Sequence, residues 1–133
     1  MAKLTEKQAG AFRGKNWGTV VTLRADGSPH ATPVWLDTDG EHVIFNTSIG
    51  RAKEQHLRRD PRIAVLVLPA ENQQAGYVSV SGTAEIVEEG AYEHIDKLAQ
   101  KYLDQEKYPY LQPGEQRVIV KVKPDKVDSQ GFE

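Results

Sequence analysis

The run Tyr77 to Val87 alternates without a break. Val78, Val80, Gly82, Ala84 and Ile86 fall on one face, and Tyr77, Ser79, Ser81, Thr83 and Glu85 on the other. A period of two sustained over that length specifies a β-strand with one buried face and excludes an amphipathic helix. A strand this long twists too much to stay in a flat sheet, so it is expected to bend around the corner of a barrel, with Gly82 easing the bend.

The rest of the chain supplies strands to complete such a barrel. Thr19 to Arg24 is rich in β-branched residues and ends at Ala25-Asp26-Gly27-Ser28, a hairpin turn. His30 to Leu36 follows, ending at a second turn, Asp37-Thr38-Asp39-Gly40, and Glu41 to Asn46 is a third strand. Two tight turns between three strands predict an antiparallel meander. Ile63 to Leu68 is continuously apolar, the pattern of a strand covered on both faces. Arg117 to Lys123 alternates Val118, Val120 and Val122 against charge. Pro124 to Glu133 reads as a loosely ordered tail. Three helices are expected: Glu6 to Arg13, capped by Thr5 and closed by Gly14; Ile49 to Arg59, stopped by Pro61; and Glu88 to Leu103, with an apolar stripe from Ala91 to Leu103. Pro69 to Gly76 and Asp104 to Glu115 are loops. The prediction is a mainly β fold, a six-stranded antiparallel barrel with flanking α-helices. It is one domain spanning 1–133, since no repeat, low-complexity tract or linker divides it.

A chain of 133 residues supports a modest core but no large internal ligand cavity, so a sizeable cofactor would need a site shared between two protomers. The net charge of -2 argues against nucleic-acid binding. With no cysteine there is no thiol catalysis, disulfide or thiolate metal site. No apolar run approaches membrane-spanning length and Met1 to Lys15 holds no signal-peptide core, so the expected compartment is the cytosol. His30, His42, His56 and His94 show no ligand spacing, so no metal site is expected. No Gly-flanked serine elbow supports acyl transfer.

Chemistry concentrates between Asn46 and Arg62. From Ser48 to Arg62 five basic residues (Arg51, Lys53, Arg58, Arg59, Arg62) face two acids (Glu54, Asp60). That is +3, in a chain whose remainder carries -5. Ser48 reads as the N-cap of the following helix, which puts Arg51 and Lys53 at its positive end, where cations oppose the dipole. An anion held by backbone N–H groups and these two side chains would resolve the conflict. The alternative is a solvated basic helix face with Glu54 compensating. Asn46, Thr47 and Ser48 can donate to the same anion, or simply cap the helix. Pro33 within a strand belongs at an edge or bulge, leaving neighbouring backbone groups free. Trp35 offers a ring face to a ligand, or fills the core. Arg58, Arg59 and Arg62 either steer a polyanion or are solvated.

The order of these pieces resembles a known family. Asp26-Gly27, Ala31-Thr32-Pro33-Val34-Trp35, Phe45-Asn46-Thr47-Ser48, Arg51-Ala52-Lys53 and Leu57-Arg58-Arg59-Asp60-Pro61-Arg62 together resemble the pyridoxamine-phosphate-oxidase-like, FMN-binding split β-barrel superfamily. Within it, they look like the branch that uses the deazaflavin coenzyme F420. The resemblance spans Gly18 to Val122. It implies a homodimer with cofactor sites in clefts between protomers. It places the ring against Thr32, Pro33, Val34 and Trp35 and the phosphate at Asn46, Thr47, Ser48, Arg51 and Lys53, with Tyr77 reaching across the cleft. It implies hydride transfer from reduced F420 to a conjugated organic acceptor, with solvent or substrate supplying the proton. An FMN-dependent enzyme of the same fold and a non-catalytic cofactor carrier are the alternatives. The enzymes that oxidise pyridoxamine phosphate carry C-terminal contacts with no counterpart seen after Val122, so that substrate is not expected. His56 stands where relatives often have Asn.

Overall fold

The structure, a computed structural model, describes residues 2–133. The chain runs α1 (Glu6–Arg13), β1 (Trp17–Leu23), β2 (Pro29–Trp35), β3 (Asp37–Thr38), β4 (Val43–Ser48), α2 (Ala52–Arg59), β5 (Arg62–Val67), β6 (Tyr77–Val87), α3 (Ala91–Leu103) and β7 (Arg117–Gln130). One antiparallel sheet has the order β2-β1-β5-β6-β7-β4-β3 and curls around the core as a split barrel.

Local chemistry accounts for the first elements. Thr5 and Gln8 form a reciprocal capping box on α1. The β1–β2 hairpin is closed by Asp26, whose Oδ1 accepts from the Ser28 N–H at 3.0 Å and from its hydroxyl at 2.6 Å. Gly27 supplies the positive φ of 85°. Gly82 does mark the bend in β6: the register with β7 slips there, from Ser81↔Lys126 to Gly82↔Pro124. A Cβ on Gly82 would lie 2.1 Å from the Lys123 carbonyl oxygen, so only glycine permits that approach.

Five expectations are corrected. The strands number seven, not six, because Asp37 and Thr38 pair with Ile44 and Val43 instead of turning. The turn is tighter and later, built on Asp39 Oδ1, which accepts from the N–H groups of Glu41 and His42. The first three expected strands are no meander: β2 and β4 lie near opposite ends of the sheet order, and β4 pairs with β7, residue Asn46 opposite Ile119 and Ser48 opposite Arg117. Sequential strands are usually neighbours, but a distant partner can displace them.

The tail is ordered strand, since β7 continues along β6 to Gln130 opposite Tyr77. Pro124, which lacks a donor, is tolerated because it sits at the register slip. The strand covered on both faces is β4, every residue of which is buried. In the single protomer β5 buries only one face, and Leu66 is 37% exposed. Finally, α2 begins at Ala52 with Arg51 as N-cap, and Ser48 remains in β4.

The core holds Phe12, Val20, Leu36, Phe45, Val65, Val80 and Val120. A second cluster, Ile95, Leu98 and Tyr102 of α3 with Trp35 and Tyr108, covers the outer side of β4. Between this cluster and the start of α2 lies a cleft.

Candidate functional site

The cleft of about 270 Å³ is lined by Trp17, Pro33, Val34 and Trp35, by Asn46, Arg51, Lys53 and Arg117, and by Ile95, Leu98, Tyr108 and Tyr110. One wall is aromatic and apolar, the other cationic. A cavity of similar volume near the N-terminus has only the exposed lysines Lys3 and Lys123 for cations, whereas one of the three cations of this cleft is buried.

That buried cation is Arg117, 4% exposed. Its Nε donates to Asn46 Oδ1 at 2.8 Å. Its Nη1 donates to Ser48 Oγ at 2.9 Å and to Glu115 Oε2 at 2.5 Å. The Ser48 hydroxyl donates to the same carboxylate. Burial pushes the Glu115 carboxyl up, but the Gln112 N–H, the Ser48 hydroxyl and Arg117 outweigh it and hold its pKa at about 2. Arg51 Nη2 lies 4.0 Å from that carboxylate. Lys53 is half-buried, and its pKa is lowered by burial first, then by Arg51 and Arg117. Three cations and one carboxylate leave the cleft at +2.

The ring wall is continuous. Trp35 stacks on Tyr102 with centroids 5.3 Å apart and planes 4° from parallel, and meets Trp17 and Tyr108 edge-on at 6.1 and 6.0 Å. The Tyr102 hydroxyl fixes this stack by donating to the Asn16 carbonyl at 2.6 Å and accepting from the Leu36 N–H at 2.9 Å. Tyr108 also lies over the Arg117 guanidinium, 5.2 Å from ring centroid to Cζ, and so joins the two walls.

The structure brings Pro33, Val34, Trp35, Asn46, Arg51 and Lys53 together around one cleft. Pro33 pairs opposite Thr19 on the terminal strand β2, the kind of edge position that tolerates its missing N–H. Asn46 spends its amide internally, on Arg117, on the Ala91 carbonyl and on His94. Ser48 binds Arg117 and Glu115 instead of capping α2. Its strand position, forced by pairing with β7, leaves Glu54 to reach back to the Gly50 N–H at 2.9 Å. The Thr32 and Thr47 hydroxyls are buried without a protein partner, and neither residue lines the cleft. Tyr77 stands outside it, opposite Gln130. The remaining arginines are engaged: Arg58 with Glu54, Arg59 with the Leu23 carbonyl, and Arg62 with Asp60 through two contacts of 3.0 and 2.7 Å.

Sequence reasoning missed Arg117, Glu115, Tyr108 and His94. The signal for the first two was spacing. Glu115 and Arg117 lie two apart at the entrance to an alternating strand, on the face opposite Val118 and Val120. That face carries the charged residues of the alternation, and its first position is buried, with Tyr108 of the 104–115 loop over the Arg117 guanidinium.

A family model described as pyridoxamine 5'-phosphate oxidase matches residues 4–131. Among solved structures, one named F420 reductase is 27% identical, with a TM-score of 0.79 over 94% of this chain and 98% of its own. A conserved hypothetical protein from Mycobacterium tuberculosis is 28% identical, with a TM-score of 0.74 over 96% and 84%. The general stress protein 26 of Bacillus anthracis, 21% identical with a TM-score of 0.71 over 96% and 94%, shares the fold. A split barrel matched over nearly its whole length, with its basic turn and aromatic strand facing one cleft, belongs to the pyridoxamine 5'-phosphate oxidase family.

Proposed function

We propose that this protein is an oxidoreductase that uses reduced coenzyme F420 to reduce a conjugated organic acceptor. The observation that carries the reading is the convergence of Arg51, Lys53 and Arg117 on one cleft, with Glu115 the one carboxylate paired with them among the described residues. Burial and like charge hold Lys53 below its ordinary range, a cost that a bound anion relieves. The 27% identity to a protein named F420 reductase supports the deazaflavin in particular.

The residues fit such a ligand by class. Arg51, Lys53 and Arg117 would hold the phosphate, Arg by its planar fork and Lys as a point charge. Pro33 and Trp35 would flank the ring, and Tyr108 and Tyr110 would keep water from it. The coenzyme itself supplies the hydride, from C5 of its ring. The protein binds, orients and dries the site, and the proton comes from solvent or from the acceptor.

At about 270 Å³ the cleft is below the roughly 300–1,000 Å³ of ligand sites. A second protomer would complete it. The outward apolar residues Trp17, Leu66 and Leu68, 58%, 37% and 37% exposed, support a homodimer through the β1–β5 face. Tyr77, outside the cleft of its own protomer, would then contribute to a partner's site.

A fluorescence titration of the purified protein with F420 tests the reading: saturable binding supports it, and no binding at micromolar protein overturns it. FMN is the second reading, favoured by the match between a +2 cleft and a phosphate monoester. A yellow preparation that releases FMN on heating would establish that alternative.

A further inference from the structure

A line of hydrogen bonds leads from the cleft wall to a histidine. Arg117 Nε donates to Asn46 Oδ1 at 2.8 Å. Asn46 Nδ2 donates to the Ala91 carbonyl at 2.9 Å and meets His94 Nδ1 at 3.0 Å. His94 Nε2 lies 3.3 Å from Asp37 Oδ2, off the line of a good hydrogen bond.

Each partner dictates the next. A guanidinium cannot accept, so it faces the amide oxygen. A carbonyl cannot donate, so the amide nitrogen faces Ala91. His94 Nδ1 therefore accepts, and the ring proton sits on Nε2, toward Asp37. A protonated His94 would turn an N–H against the Asn46 NH₂. Rotating the amide gives no relief, because it sets nitrogen against Arg117 Nε–H and oxygen against the Ala91 carbonyl. The imidazolium and the Asn46–Arg117 bond exclude one another.

The charged groups near the ring are Asp37 on β3, 3.3 Å from Nε2, and Arg117 on β7, behind Asn46; Lys101 on α3 acts on Asp37, favouring its ionised form. Without Asn46, Arg117 keeps its hydrogen bonds to Glu115 and Ser48 and its place against the Tyr108 ring. The Arg117 Nη2 is bonded to none of the described residues and is not sealed from solvent, which leaves it for a ligand in the cleft.

We propose that His94 is a positioning residue whose neutral form, through Asn46, holds Arg117 at the cleft wall, so that anion binding weakens when His94 takes up a proton. This rests on the reading of the cleft as an anion site. The sign is diagnostic, since an added cation acting only through its field would strengthen anion binding.

The test uses the full chain and inorganic sulfate, whose charge is constant from about pH 8 to about pH 5, the range in which histidine titrates. Sulfate affinity is followed by titration, and the Arg117 Nε–H by nuclear magnetic resonance. In the natural protein sulfate affinity should fall about tenfold toward the acid end, and the Nε–H should lose its protection from exchange. His94→Asn keeps an acceptor near the place of Nδ1 without a titrating group, and should hold both readouts flat. His94→Leu removes the acceptor and should bind weakly throughout. The same acid loss in His94→Asn, or affinity that rises toward acid in the natural protein, overturns the proposal. So does an Nε–H signal indifferent to the titration of His94, even where sulfate binds too weakly to measure or His94→Leu does not fold. Neither readout involves F420 or FMN, so failure of those cofactors to bind leaves this result standing on its own.

Discussion

Arg51 and Lys53 stand at the positive end of α2, and among the described residues the one carboxylate paired with either is Glu115, 4.0 Å from the Arg51 guanidinium. Replacing both by alanine should weaken cofactor binding by about 10- to 1,000-fold, the worth of two charge-assisted contacts. Thermal stability should hold or rise slightly, because each change removes a cation from a helix N-terminus; titration and a melting curve on one preparation check both. Glu115 gives a second prediction. Its folded pKa of about 2 lies below the ordinary 4.5. A depressed carboxyl contributes stability above its unfolded pKa and loses it as pH falls through the folded one. The urea midpoint of the natural protein should therefore drop between about pH 4.5 and about pH 2, and Glu115→Gln should flatten that limb. An unchanged limb would assign acid unfolding to other carboxylates.

At the scale of elements, α3 does more than cover the sheet. Its Lys101 ammonium donates to the carbonyls of Phe12 and Arg13, at the end of α1, at 3.1 and 3.0 Å, and to Leu36 at 2.5 Å. One side chain thus satisfies the C-terminus of one helix and the end of β2, and ties both to a third element. Lys101→Met keeps the stem and removes the donors. It should cost about 1.5–3 kcal/mol, the range for buried carbonyls losing a charged partner, read as a lower denaturation midpoint. The helices were legible because caps and stripes are local: Thr5 with Gln8, and the α3 face of Ile95, Leu98 and Tyr102, lie within a few turns of each other. The start of α2 was not, because Ser48 answers to Arg117 and Glu115, far along the chain.

For the whole molecule, the proposed dimer would form through the outer face of β1 and β5. Leu66→Glu would place a charge amid Val21, Leu68 and Trp17 without touching the core, since Leu66 points away from it. Sedimentation should then show a monomer that still melts cooperatively, at a temperature lowered by the loss of association, and cofactor binding should fall with it. A variant that remains associated would move the interface elsewhere. Alternation, turn chemistry and capping named the β-class, all three helices, the Gly82 bend and the basic turn from sequence alone, because each depends on neighbours within about ten residues. Tertiary structure alone decided that β4 pairs with β7, that the tail is strand, and that Arg117 is the buried cation of the cleft. The physical reason is range. A strand pairs with whichever partner the curled sheet delivers, and here that partner is distant in sequence: Asn46 of β4 and Arg117 of β7 are 71 residues apart.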